Sequence, residues 1–94
     1  MQTISIVEPL TVLNIRSAHK IISDAVAKNT DGVVVDLKDV SDCDTSGVQL
    51  VIAVWKYAAN KNRKIDFKNI SDAVANAFSI VGIDDINDFF SAKE

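Results

Sequence analysis

The 94-residue chain contains one cysteine, one histidine, one proline and only three glycines. A single cysteine excludes an internal disulfide framework, and one cysteine with one histidine is too few for a structural zinc site. No apolar run approaches the roughly 20 residues that cross a bilayer, and the N-terminus lacks the basic start of a signal peptide. We therefore expect a cytoplasmic protein with no metal and no other cofactor.

Positive charge is also scarce, because 10 Lys and Arg residues accompany 13 Asp and Glu residues, for a formal net charge of -3 at pH 7. Duplex DNA and anionic membranes both select basic surfaces. The balance therefore argues against nucleic acid and against the membrane as partners. Apolar side chains are abundant, at 48% of the chain, which suits one small folded domain that we expect to span residues 1–94.

The hydrophobic pattern predicts the element order ββαβαβα with a short final helix. Two short strands, Thr3 to Val7 and Leu10 to Val12, are expected to pair as an N-terminal hairpin. Alternating strands and helices favour parallel pairing with right-handed crossovers. We therefore predict an α/β domain in which helices pack around a four-stranded, mostly parallel sheet with an N-terminal hairpin strand. The other predicted elements are a helix after Asn14, a buried central strand Val33–Leu37, an apolar helix Val48–Ala59, an edge strand Ile65–Lys68, a helix from Ser71 to Gly82 and a short helix through Ile86 and Phe90.

The residue choice is most distinctive where the buried strand leads into the apolar helix. A short acidic loop follows Leu37, and the tetrapeptide Asp44-Thr45-Ser46-Gly47 then begins the helix. Its first three side chains all suit a helix N-cap, so capping is one interpretation. A hydroxyl held there is also accessible to a kinase, and Gly47 would leave room for a partner backbone to approach. The two interpretations are compatible.

The stretches Val33–Leu37 and Asp44–Leu50 resemble the core of STAS domains, the bacterial anti-sigma factor antagonists and their relatives. The shared pattern is an apolar strand ending in Asp-Leu, a short loop, and Asp-Ser/Thr-Ser/Ala-Gly at the start of a long apolar helix. The resemblance extends to the element order, to the strand Ile65–Lys68 and to a helix that ends in Gly-Ile. It therefore covers nearly the whole chain.

In anti-sigma factor antagonists the second hydroxyl of the tetrapeptide is the phosphoacceptor, so the resemblance implies that Ser46 is phosphorylated, with Thr45 as the second choice. It also implies a partner kinase, itself the anti-sigma factor, that binds the unphosphorylated domain and releases the sigma factor. The partner-binding surface would comprise Asp42, Asp44, Thr45, Ser46 and Gly47. The implied role is that of a signalling phosphoprotein without enzymatic activity.

A second branch of the family resembles the chain about as well. Its members are small cytoplasmic subunits of lipid-transport ABC complexes, in which Thr is the important hydroxyl, and this maps onto Thr45. The pair Gln49-Leu50 leans towards this branch, whose partner is an ABC ATPase, and related stand-alone domains are linked to chemotaxis-type signalling. All these roles are docking roles, and the residues show no paired general acid and base and no activated nucleophile.

One departure from the family pattern is acidic. Asp42 and Cys43 stand where the family usually has apolar residues. Together with Asp39 and Asp44, this places three carboxylates near the proposed phosphorylation site, where a phosphate would meet like charge.

Three further residues carry weaker signals. We interpret Cys43 as a loop thiol, since no histidine lies at a supporting spacing. Asp36 ends the buried strand and is expected to anchor the loop by hydrogen bonds. His19 lies beside the apolar stripe of the first helix and is expected to be solvated or half-buried.

Overall fold

A computed structural model describes residues 1–92 of the chain, with side chains through residue 90. None of the helices in this range combines the length and the apolarity needed to span a bilayer. The elements are β1 (Gln2–Ser5), α1 (Ile15–Lys28), β2 (Val33–Asp36), α2 (Thr45–Asn60), β3 (Ile65–Lys68), α3 (Asp72–Ile80) and α4 (Ile86–Ala92).

The three strands of the described residues form one parallel sheet in the order β1-β2-β3. Val33 of β2 lies between Gln2 of β1 and Ile65 of β3 in register. Val33 and Val35 are fully buried, which confirms that this β-branched run is the central strand. In β3 the apolar residues are buried and the charged ones are exposed, as predicted for an edge strand with one solvated face.

The predicted N-terminal hairpin is wrong, and with it the fourth strand of the sheet. Leu10 instead forms an isolated parallel bridge with Cys43, and the chain then turns, with the Asn14 N–H donating to the Thr11 carbonyl at 2.9 Å. The alternation from Leu10 to Val12 resembled a strand, but Leu10 faces the core while Val12 is 67% exposed. The Val12 N–H donates to a side chain, the carboxylate of Asp44, and not to a neighbouring strand.

Helix α1 packs through the apolar stripe that its sequence predicts. Ala18, Ile22 and Val26 are buried on that stripe, which is spaced at one helical turn. Asn14 occupies the N-cap position, although its side chain makes no capping hydrogen bond. The helix is therefore stabilised mainly by packing.

Helix α2 lies between α1 and α3, which explains why it is apolar almost all round. Its fully buried side chains include Val51, Val54 and Ala58. Near its middle, Trp55 packs against Phe90 of α4 with ring centroids 5.3 Å apart. Neighbours on both flanks hold α2 in place, so the position of its first turn is well determined.

Candidate functional site

Asp44 is the N-cap of α2. Its backbone is extended, and its Oδ1 accepts the N–H groups of Ser46 at 2.8 Å and Gly47 at 3.2 Å. Its carbonyl accepts the Val48 N–H at 3.2 Å. These contacts satisfy the N–H groups of Ser46, Gly47 and Val48, three of those in the first turn of the helix. Capping is therefore carried out by Asp44, and the side chains of Thr45 and Ser46 take no part in it.

The same residue joins α2 to the segment before α1. Asp44 Oδ2 accepts the Val12 N–H at 3.2 Å, and the Asp44 N–H donates to the Leu10 carbonyl at 3.2 Å. The Leu10 N–H in turn donates to the Asp42 carbonyl at 2.9 Å. We call the packed segments 10–12 and 42–44, together with Gly47, the loop side of the site.

Gly47 is buried on the loop side. A Cβ at this position would lie 2.5 Å from the Leu10 carbonyl oxygen, 2.6 Å from Cys43 Sγ and 2.9 Å from Leu10 Cβ. Any larger residue would therefore push the backbone of Leu10 away from α2. The space that the glycine leaves is filled by the protein's own chain, and not by a partner.

The two hydroxyls of the tetrapeptide differ in exposure. Thr45 is exposed and Ser46 is half-buried. Neither hydroxyl has a hydrogen-bond partner in the part of the chain that the structure describes. Neither hydroxyl therefore stabilises the fold by hydrogen bonding, and the two residues lie in different surroundings.

Ser46 lines a groove of about 400 Å³ between α1 and α2, whereas Thr45 does not. The polar residues of the groove are Arg16 and His19 from α1, with Ser46 and Gln49 from α2. Its apolar lining residues are Ile15, Leu50 and Ala53. We call this set of seven residues the groove side.

The cation in the groove is unpaired. Arg16 is exposed, and its guanidinium makes no hydrogen bond or salt bridge with any described residue. His19 is also exposed, and its Nδ1 lies 3.4 Å from the hydroxyl of Ser23. The expectation that His19 is solvated or half-buried is thus confirmed, but its place in the same groove as Ser46 was not anticipated.

The carboxylates near the site fall into two groups. Asp39 and Asp42 are exposed, whereas Asp44 is half-buried and bound by backbone N–H groups. Asp36 is only 6% exposed and anchors the loop, as its sequence position predicted. Its carboxylate accepts the Lys38 N–H at 3.0 Å and the Asn69 amide at 3.2 Å. The hydrogen bond from the Lys38 backbone is the main cause that lowers the pKa of Asp36.

Cys43 is not prepared for nucleophilic chemistry. Burial, followed by the charges of Asp44 and Asp42, raises the pKa of its thiol to about 11. Thiolate is the reactive form of cysteine, so this thiol should react more slowly at neutral pH than an ordinary cysteine does. The described residues also contain no group of three or more side chains that could hold a metal ion.

The residues predicted from sequence therefore lie together at the start of α2, but they do not share one surface. Gly47 is buried and Asp44 is bound on the loop side, while Thr45, Ser46 and Asp42 remain accessible. Sequence reasoning missed Arg16 and His19. Their spacing of three residues, matched by that of Ser46 and Gln49, is the signal that places each pair on one helix face.

Comparison with known families gives the class of the protein. A family model for the STAS domain matches residues 2–94. The chain therefore belongs to the STAS domain family, whose members are generally regulatory or binding domains. A comparison with curated proteins finds no relative that matches.

Proposed function

We propose that this STAS domain is a non-enzymatic regulatory module of the anti-sigma factor antagonist type, in which a phosphate on Ser46 controls docking to a partner protein. One observation carries the proposal. Asp44 supplies the helix cap, so the Ser46 hydroxyl has no structural role and stands accessible in an open groove. The family membership supports a docking role, and the free hydroxyl gives that docking a switch.

The switch is a transfer of one phosphoryl group. The Ser46 oxygen forms a bond to the γ-phosphorus of ATP held by the partner kinase, and the bond from that phosphorus to ADP breaks. The hydroxyl proton passes to a base of the kinase. Because the Ser46 hydroxyl has no partner among the described residues, the fold loses no hydrogen bond when it is modified.

The effect on docking is electrostatic. Phosphorylation adds a charge of about -1.5 to -2 at neutral pH. An interface built for a neutral hydroxyl would have to desolvate that charge, and a loss of about 3 kcal/mol weakens binding more than a hundredfold. Binding and release can therefore alternate without a large conformational change.

The direct test uses a serine kinase of the anti-sigma factor type. Wild-type protein incubated with such a kinase and ATP should gain one phosphate, Thr45→Ala should also gain it, and Ser46→Ala should not. In calorimetry, Ser46→Asp should bind the kinase at least tenfold more weakly than wild type does. If the wild type takes no phosphate and Ser46→Asp binds normally, the proposal is wrong.

A second candidate function rests on Thr45, which is the more exposed of the two hydroxyls and lies outside the groove. In this case the protein is a subunit of a lipid-transport ABC complex, and Thr45 contacts the ATPase. Co-purification with an ABC ATPase that is lost in Thr45→Glu and kept in Ser46→Ala would favour this function. Loss in Ser46→Ala alone would count against it.

A further inference from the structure

The groove beside Ser46 carries unused positive charge in an acidic protein. The chain has more acidic than basic residues, yet the Arg16 guanidinium has no carboxylate partner in the described part of the chain. Elsewhere on α1, Lys20 does pair with Asp24 at 3.2 Å. Arg16 is thus available to an anion that enters the groove.

The start of α2 itself offers such an anion only one free backbone donor among the described residues, the N–H of Thr45. The N–H groups of Ser46 and Gly47 are bound to the Asp44 carboxylate, and that of Val48 is bound to the Asp44 carbonyl. A phosphate that took these N–H groups would have to displace the cap. A single backbone N–H carries no net charge, and the first turn of α2 has no basic side chain, so counter-charge for a phosphate on Ser46 must come from another element.

We infer that Arg16, with His19 beside it, binds the phosphoryl group of phosphorylated Ser46 inside the groove. This inference rests on the proposed function, and it adds the residues that receive the phosphate. The guanidinium fork matches the geometry of phosphate oxygens, and the Gln49 amide adds a neutral donor. The phosphate would be held on the groove side, where its charge meets the Arg16 guanidinium, whereas the exposed Asp42 does not line the groove.

The binding can be measured without a kinase. Phosphoserine is incorporated at position 46 of the full chain during translation, and ³¹P NMR follows its second ionisation. Contact with a cation should lower this phosphate pKa below its ordinary value of about 6. Arg16→Ala should raise it again by about half a unit, a shift that lies within the range for exposed ion pairs. Arg16→Lys should restore part of the shift.

Two controls make the result specific. Lys20→Ala removes the same charge from the same helix, but Lys20 does not line the groove, so the phosphate pKa should hardly move. A chain with phosphothreonine at position 45 should not respond to Arg16→Ala, because Thr45 lies outside the groove. His19→Gln separates the share of the imidazole from that of Arg16.

Equal shifts in Arg16→Ala and Lys20→Ala would overturn the inference, since they would show only long-range charge. Amide NMR spectra of each variant verify that the fold is intact. The proposed function fails separately. If the phosphoserine protein bound its partner as tightly as the unmodified protein, the switch would be wrong even with the phosphate held by Arg16.

Discussion

The loop side and the groove side of the start of α2 differ in whether their polar groups have partners within the chain. On the loop side the polar groups of Asp44 are satisfied within the chain, and the one glycine is in close contact with its neighbours. On the groove side a hydroxyl and a guanidinium have no partners among the described residues. The difference indicates that the loop side maintains the structure and the groove side is available for binding. Substitutions on the two sides should therefore differ in what they damage.

The largest loss of stability is expected for Gly47→Ala. The new methyl group would overlap the backbone of Leu10, which should cost about 2–3 kcal/mol of unfolding free energy. Gly82→Ala is the comparison, since a Cβ at this position would meet no atom within 4 Å. The positive φ of 91° is the only source of strain there, and it should lower the unfolding free energy by about 1 kcal/mol. Urea denaturation measures both variants. Equal losses would show that the loop side is not tightly packed.

The next effect concerns the reactivity of Cys43. Burial raises the pKa of its thiol from 9.0 to about 11, so at pH 8 the thiolate fraction should be roughly a hundredfold lower than in the unfolded chain. Reaction with a disulfide reagent in native buffer and in urea measures the ratio.

The same shift makes stability depend on pH. Because the pKa of Cys43 is higher in the folded chain than in the unfolded chain, the stability that comes from keeping the thiol neutral should be lost as the pH rises from 9.0 to about 11. Cys43→Ala should lack this alkaline loss, and a native thiol that reacts as fast as the unfolded one would contradict the burial.

A smaller loss is expected for Asp44→Ala, which removes the cap of α2 and the acceptor for Val12. The expected cost is about 1–2 kcal/mol. The stability of Asp44→Asn should lie between that of the wild type and that of Asp44→Ala, because an amide oxygen can still accept the helix N–H groups. Asp42→Ala is the matched control, since this neighbouring carboxylate is exposed and should change stability by less than about 0.5 kcal/mol. Similar losses of stability in Asp44→Ala and Asp42→Ala would show that the cap makes no special contribution.

The smallest effect is expected on the groove side. Ser46→Ala should change the free energy of unfolding by less than about 0.5 kcal/mol, because its hydroxyl has no partner among the described residues. Ser71 provides the contrast, because its hydroxyl accepts the Val74 N–H at 3.3 Å and caps α3. Ser71→Ala should cost about 1 kcal/mol in the same thermal or urea unfolding experiment. A large loss in Ser46→Ala would show that this serine is structural.

Local pattern was sufficient for most of the elements. The β-branched run Val33–Leu37 predicted the central strand, and the alternation from Ile65 to Lys68 predicted the edge strand, because burial on two faces or one is written directly in the residues. The hairpin failed for the opposite reason. The partner of Leu10 is Cys43, which is far away in the chain, and a short alternating segment does not reveal such a partner.

The candidate site shows the same division. The tetrapeptide could be found from sequence because its residue types are unusual at a helix start. The assignment of the cap to Asp44 could not, since Thr45 and Ser46 suit capping equally well by side-chain chemistry. The role of Arg16 could not be predicted from sequence, because only the packed fold shows that its face of α1 lies opposite Ser46 of α2.

The hydrogen bond between Val12 and Asp44 has a consequence for the order of folding, because it joins residues 32 positions apart. Closing so long a loop is entropically costly, so such contacts form after the local helical turns. The helix cap of α2 is local, but the loop side is complete only when the N-terminal segment has docked against it. A partner that recognises this surface would bind the fully folded protein and would not bind a newly synthesised or partly unfolded chain.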